Sequence, residues 1–98
     1  MKKVDKRLYK EAINTFGAPA QAVIAMEECS ELIKEISKAL RNKINRGNIA
    51  EEIADVEIMV EQLKLMFDVE EIVEQFIKIK NDRIAELIKK AKAGQNGK

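Results

Sequence analysis

The chain predicts an all-α fold, a four-helix antiparallel bundle, and three observations predict it. Apolar residues recur at helical spacing through most of the length, Gly and Pro are scarce at 4 and 1 of 98 residues, and short polar breaks separate the apolar-striped segments. With 46% hydrophobic and 36% charged residues and no Trp, the composition is that of a helical protein rather than a disordered or collagenous one. A chain this short makes one domain, assigned to residues 1–93, whose apolar surface would be better buried by pairing with another copy. Residues 94–98 read as a disordered tail.

Residues 3–16 place Val4, Leu8, Ala12 and Phe16 on one side of a first helix, which Gly17 and Pro19 interrupt. Pro19 suits the first turn of a second helix, where its missing N–H has no partner to lose, and Val23, Met26, Cys29, Ile33, Ile36 and Leu40 carry that helix to about Arg41. Lys43 to Gly47 form the break. Asn48, with Glu51 three residues on, reads as the N-cap of a third helix through Ile53, Val56, Met59, Val60, Leu63 and Met66, ending near Phe67. Asp68 with Glu71 offers the same cap to a fourth helix, which carries Ile72, Val73, Phe76, Ile77, Ile84 and Leu87 to about Lys92. Connections this short favour antiparallel neighbours.

Eighteen basic and 17 acidic side chains leave a formal charge of +1, so no global field argues for nucleic acid or a membrane surface. No signal-peptide pattern opens the chain and no run approaches the roughly 18 apolar residues of a membrane span, which predicts a cytoplasmic protein. The lone Cys29 lies on the apolar side of its helix and reads as a small buried hydrophobe. Histidine is absent. That excludes a Ser-His-Asp or Cys-His nucleophile, an HExxH zinc site and an ExxH di-iron bundle. Carboxylate chemistry remains, and hard oxygen ligands suit Mg²⁺ or Mn²⁺.

The acids are patterned. Glu27, Glu28 and Glu31 form EExxE in the second helix, and Glu52 and Asp55 form ExxD in the third. Carboxylates three and four apart share a helix face, so two packed helices could aim four or five acids at one point, which a divalent cation would fill. At about 100° per residue, Ile49, Ile53, Val56, Met59, Val60 and Leu63 occupy one apolar arc of the third helix. Glu52 falls inside it, Asp55 at its edge, and Glu51, Glu57 and Glu61 outside. A carboxylate facing a core costs several kcal/mol unless a cation, a proton or an ion-pair partner is supplied.

On the second helix Glu28 and Glu31 share a face with Ile24 and Glu35, away from the main apolar arc, while Glu27 sits apart beside Lys34. Glu28 and Glu31 are the better ligand pair provided the third helix or another subunit packs on that face. In the fourth helix Lys80 projects into the arc of Val73, Phe76, Ile84 and Leu87, with Arg83 at its margin. Two readings follow. Inward acids and bases could neutralise one another in a non-catalytic interaction module, or could hold metal ions and a polyphosphate between them. Glu35, Glu57, Glu61, Glu70, Glu74, Lys34 and Lys38 read as surface.

The segments MEECSELIKEI (residues 26–36) and EEIADVEIMVEQL (residues 51–63) resemble the MazG-like branch of the all-α nucleoside triphosphate pyrophosphohydrolases, a superfamily that includes dimeric dUTPases. The likeness covers residues 21–67, and the fourth helix more loosely. It implies that Glu28, Glu31, Glu52 and Asp55 bind Mg²⁺, with Mn²⁺ an alternative, that Glu27 completes the catalytic set by positioning or deprotonating the attacking water, and that Lys80 and Arg83 touch the phosphates. It also implies cleavage between the α and β phosphates of a nucleoside triphosphate substrate, NTP or dNTP, and a homodimer or homotetramer. The aromatics Tyr9, Phe16, Phe67 and Phe76 mark no stacking platform for a base, which leaves the nucleotide open; Tyr9 and Phe16 read as core. The intact five-acid motif argues against a degenerate member that binds nucleotide without hydrolysing it.

Overall fold

In the computed structural model the chain is all-α, with four helices and no strand among the described residues: α1 (Lys6–Phe16), α2 (Ala18–Leu40), α3 (Arg46–Met66) and α4 (Glu70–Asn96). The structure describes residues 4–96, the last of them by its backbone only. The helices divide into two compact units, Met1–Asp68 and Val69–Lys98.

Each junction in the first unit has a local cause. Asp5 caps α1, its side chain accepting a hydrogen bond from the Leu8 N–H at 3.0 Å. Gly17 then turns the chain into α2 at φ 94°, a conformation open to glycine and strained for other residues, while its N–H closes on the Ile13 carbonyl at 2.8 Å. Pro19 lies in the first turn of α2, as expected. Asn42, at φ 62°, ends that helix in the left-handed region that Asn tolerates better than most side chains.

Two cap assignments are corrected. α3 starts at Arg46 and its cap is Asn45, whose side chain accepts from the Asn48 N–H at 3.0 Å. Asn48 is therefore a first-turn residue, and the helix begins about one turn earlier than its apolar periodicity suggested. α4 starts at Glu70, so Val69 rather than Asp68 precedes its first residue, and the Val73 N–H donates to the Val69 carbonyl. Asp68 instead takes φ 53° in the turn that ends α3. At its other end α4 continues through Gly94 to Asn96, past the expected stop at Lys92 and into the stretch assigned to a disordered tail; Gly97 and Lys98 lie outside the described residues.

The core of the first unit is the contact of α2 with α3, with α1 packed on both. Gln21, Ala25, Glu28, Leu32 and Glu35 form the inward stripe of α2, and Glu52, Asp55, Val56, Met59, Gln62 and Leu63 that of α3, all buried or half-buried. These positions step by three and four, the spacing of a coiled-coil seam. Ala25 and Met59 are buried in it, and α1 contributes the buried Tyr9.

This seam corrects the expected faces. The apolar arc of α2 looks outward, with Val23, Met26, Ile33, Ile36 and Leu40 exposed, and Cys29 is exposed rather than buried. On α3 the buried side is rotated toward Asp55, leaving Ile53 and Val60 exposed. In α1 Leu8 and Phe16 are exposed, so the stripe assigned to the core there is not the packed one. Glu35 and Glu61, read as surface, are both 7% exposed. Their charges meet cations one turn along the same helix: Lys38 Nζ lies 3.3 Å from Glu35 and Lys64 Nζ 2.9 Å from Glu61.

The second unit is α4. Its apolar residues Ile72, Phe76, Ile77, Ile79, Ile84, Leu87 and Ile88 are exposed, as are Lys80 and Arg83. No helix in the described residues is long and apolar enough to cross a membrane.

Candidate metal centre

Two contacts define how α2 and α3 lie. The Gln21 Nε2 donates to Gln62 Oε1 at 2.7 Å, and Glu28 and Asp55 bring carboxylate oxygens within 4.8 Å of each other. Gln21 lies seven residues before Glu28, and Gln62 seven residues after Asp55. The helices are therefore antiparallel, and the EExxE and ExxD segments meet because they occupy matching levels of one seam.

At that level Glu28, Glu52 and Asp55 each present a carboxylate oxygen within 4.8 Å of the other two, and all three are half-buried. Oxygens gathered this closely can share one cation of the Mg²⁺ or Mn²⁺ class, whose ligands are oxygens. Glu31 is exposed at the rim, yet its charge acts on both Glu28 and Glu52. Glu27 is exposed on the outer side of α2, beyond the trio, with its carbonyl accepting from the Ser30 hydroxyl at 2.9 Å. Lys80 and Arg83, expected at the phosphates, belong to the other unit.

The electrostatics of the cluster are one-sided. Burial first, then the charge of Asp55 and the hydrogen bond to it, then Glu31 and Glu27, raise the Glu28 pKa above the ordinary glutamate value. Burial likewise leads for Glu52, followed by Glu28, Asp55, Glu31 and Glu51. Every charged neighbour in these two sets is another acid. The Glu52 Oε2 is moreover buried without a hydrogen-bond partner. A buried carboxylate oxygen left in that state is costly, and a cation beside it would remove both the desolvation and the like-charge penalty.

Helical projection missed one feature of the seam. Gln21 and Gln62 are 5% and 4% exposed, more deeply buried than most of the apolar residues. Neither stood out, because a lone Gln on a helix carries no signal until its partner is known. Their relation to the acids is visible only as the seven-residue step once two helices are aligned. No family model, curated protein or solved structure matches the chain.

Proposed function

We propose that this protein is a Mg²⁺-dependent nucleotide pyrophosphohydrolase, cleaving the α–β phosphoanhydride of an NTP or dNTP to the monophosphate and pyrophosphate. The observation that carries the reading is the convergence of Glu28, Glu52 and Asp55 from two helices, with a buried Glu52 oxygen lacking a partner. The donor set fits the metal: hard carboxylate oxygens, with no His or thiolate among the residues of the cluster.

Glu28, Glu52 and Asp55 would hold the ion, with Glu31 joining from the rim. When bound, the cation supplies charge neutralisation and Lewis acidity to a substrate bearing about four negative charges. The chain's own part is to keep these acids at fixed levels of a rigid seam and to repel a polyphosphate that arrives without metal. Glu27, exposed one residue before Glu28, would take a proton from an attacking water, an assignment that rests on the sequence resemblance. In this reading Lys80 and Arg83 bind phosphate oxygens, an assignment that rests on the sequence resemblance. Homo-oligomer formation and a cytoplasmic location belong to the same proposal.

The interaction-module alternative required inward bases to neutralise these acids. Among the described residues Lys38 pairs with Glu35 and Lys64 with Glu61, whereas the charges that raise the Glu28 and Glu52 pKa values are carboxylates. This favours the metal reading. The test is to screen canonical and damaged nucleotides with Mg²⁺ and read out pyrophosphate. Turnover that depends on the metal supports the proposal, and a screen without metal-dependent turnover overturns it.

A further inference from the structure

Gln21 and Gln62 form a hydrogen-bonded amide pair almost wholly out of solvent, in the same seam as the acids. They stand seven residues from Glu28 and Asp55, about 10 Å along the helix axes at 1.5 Å per residue. The pair is not an optimised source of stability, because the Gln21 Oε1 is buried without a partner of its own. Two apolar side chains of similar size would leave no such atom.

What a buried polar pair does well is reject misalignment. Ala25 and Met59, the buried apolar residues of this seam, pack without direction, so they constrain axial sliding weakly. A slip of one helical turn, about 5.4 Å, would separate the two amides, leave both buried without partners, and carry Glu28 out of reach of Asp55.

We propose that Gln21 and Gln62 are positioning residues: their hydrogen bond sets the axial register of α2 against α3 and so holds Glu28 opposite Asp55 at the carboxylate cluster. The consequence for metal binding rests on the proposed function above. The register claim itself does not.

The experiment uses the full chain with Gln21→Leu, Gln62→Leu and the double variant. Three quantities are read: melting temperature, Mn²⁺ affinity by electron paramagnetic resonance titration, and an interhelix distance from nitroxides at Ser37→Cys and Ala54→Cys in a Cys29→Ser background. Both labelled positions are exposed, one on each helix. The single variants should melt lower, since each strands an amide, and should bind Mn²⁺ at least about 10-fold more weakly. The double variant should recover the melting temperature, because an apolar pair needs no partner, without recovering the affinity or the single narrow distance. That split separates register from stability, and it survives any failure of the single variants to fold. A double variant with wild-type Mn²⁺ affinity and an unshifted distance would overturn the proposal. If the wild-type chain binds no Mn²⁺, the metal reading fails, and the distance alone decides: a shift or broadening supports the register claim, and an unchanged distribution overturns it.

Discussion

Glu28 on α2 and Asp55 on α3 bring carboxylate oxygens within 4.8 Å of each other across the seam, and burial, then the charge of Asp55, raise the Glu28 pKa above the ordinary glutamate value. Two ionised acids in that contact repel, so the metal-free site favours protonation and a cation-loaded site favours the ionised pair. Cation binding at this point is therefore linked to pH.

In the folded chain Glu28 and Glu52 titrate above the ordinary glutamate value of 4.5, because burial and neighbouring acids act on them only there. The native state thus binds more protons than the unfolded one as pH rises from that value through the raised ones. Their contribution to stability is fully present below that value and is lost across the window. Metal binding needs the ionised acids, so the Mn²⁺-induced rise in melting temperature should be small near about pH 4.5 and grow toward about pH 7. Thermal melts with and without Mn²⁺ at the two pH values measure it; a gain that shrinks with pH contradicts the site.

Glu52→Gln removes one charge from a cluster whose members repel one another. The metal-free melting temperature should hold or rise. The Mn²⁺-induced gain should vanish, and pyrophosphate release should fall by about 100-fold or more, beyond the effect of losing an outer-shell partner. A variant that is merely unfolded would show the opposite in the metal-free melt, so one calorimetric run beside one activity assay separates the outcomes.

Lys64→Ala takes a cation from Glu61, which sits 93% out of solvent with Lys64 Nζ at 2.9 Å. The loss should lie between that of a surface pair and a fully buried one, about 1–3 kcal/mol. Lys38→Ala should cost less, because Lys38 keeps 38% of its side chain in solvent. Lys34→Ala, on an exposed position, should change stability by less than about 0.5 kcal/mol. Urea denaturation of the three variants gives the ranking, and an equal cost for Lys34 and Lys64 would defeat it.

Asn45→Ala should destabilise the fold by about 1 kcal/mol, since it strips the acceptor from the first turn of α3. Asn48→Ala should cost clearly less, because the backbone N–H of residue 48, and not its side chain, takes part in the cap. Chemical denaturation of the two variants distinguishes the caps, and the reverse order would restore the later helix start.

Much of the architecture was legible in the sequence because it depends on local rules. Pro19 and Gly17 marked the α1–α2 junction, the i, i+3, i+4 periodicity marked the helices, and the acids announced themselves by spacing. The structure brings Glu28, Glu52 and Asp55 together, keeps Glu31 at the rim, and leaves Glu27 outside the trio. The inward face of α2 was not legible, and that of α3 only in part, through Glu52, Asp55, Val56, Met59 and Leu63. Helical projection assumes that the apolar arc packs, and here the α2–α3 seam takes in Gln21, Glu28, Glu35, Glu52, Asp55 and Gln62, while Val23, Met26, Ile33, Ile53 and Val60 face outward.

Sequence alone determined that this chain is helical and that, lacking any His, its patterned carboxylates are its candidate metal ligands, because composition and i, i+4 spacing act within a single helix. Tertiary structure alone decided which acids meet, that Glu35 and Glu61 are buried, and that Gln21 and Gln62 are partners. Those facts follow from the alignment of one helix on another, and register is a relation between two segments that neither segment encodes by itself.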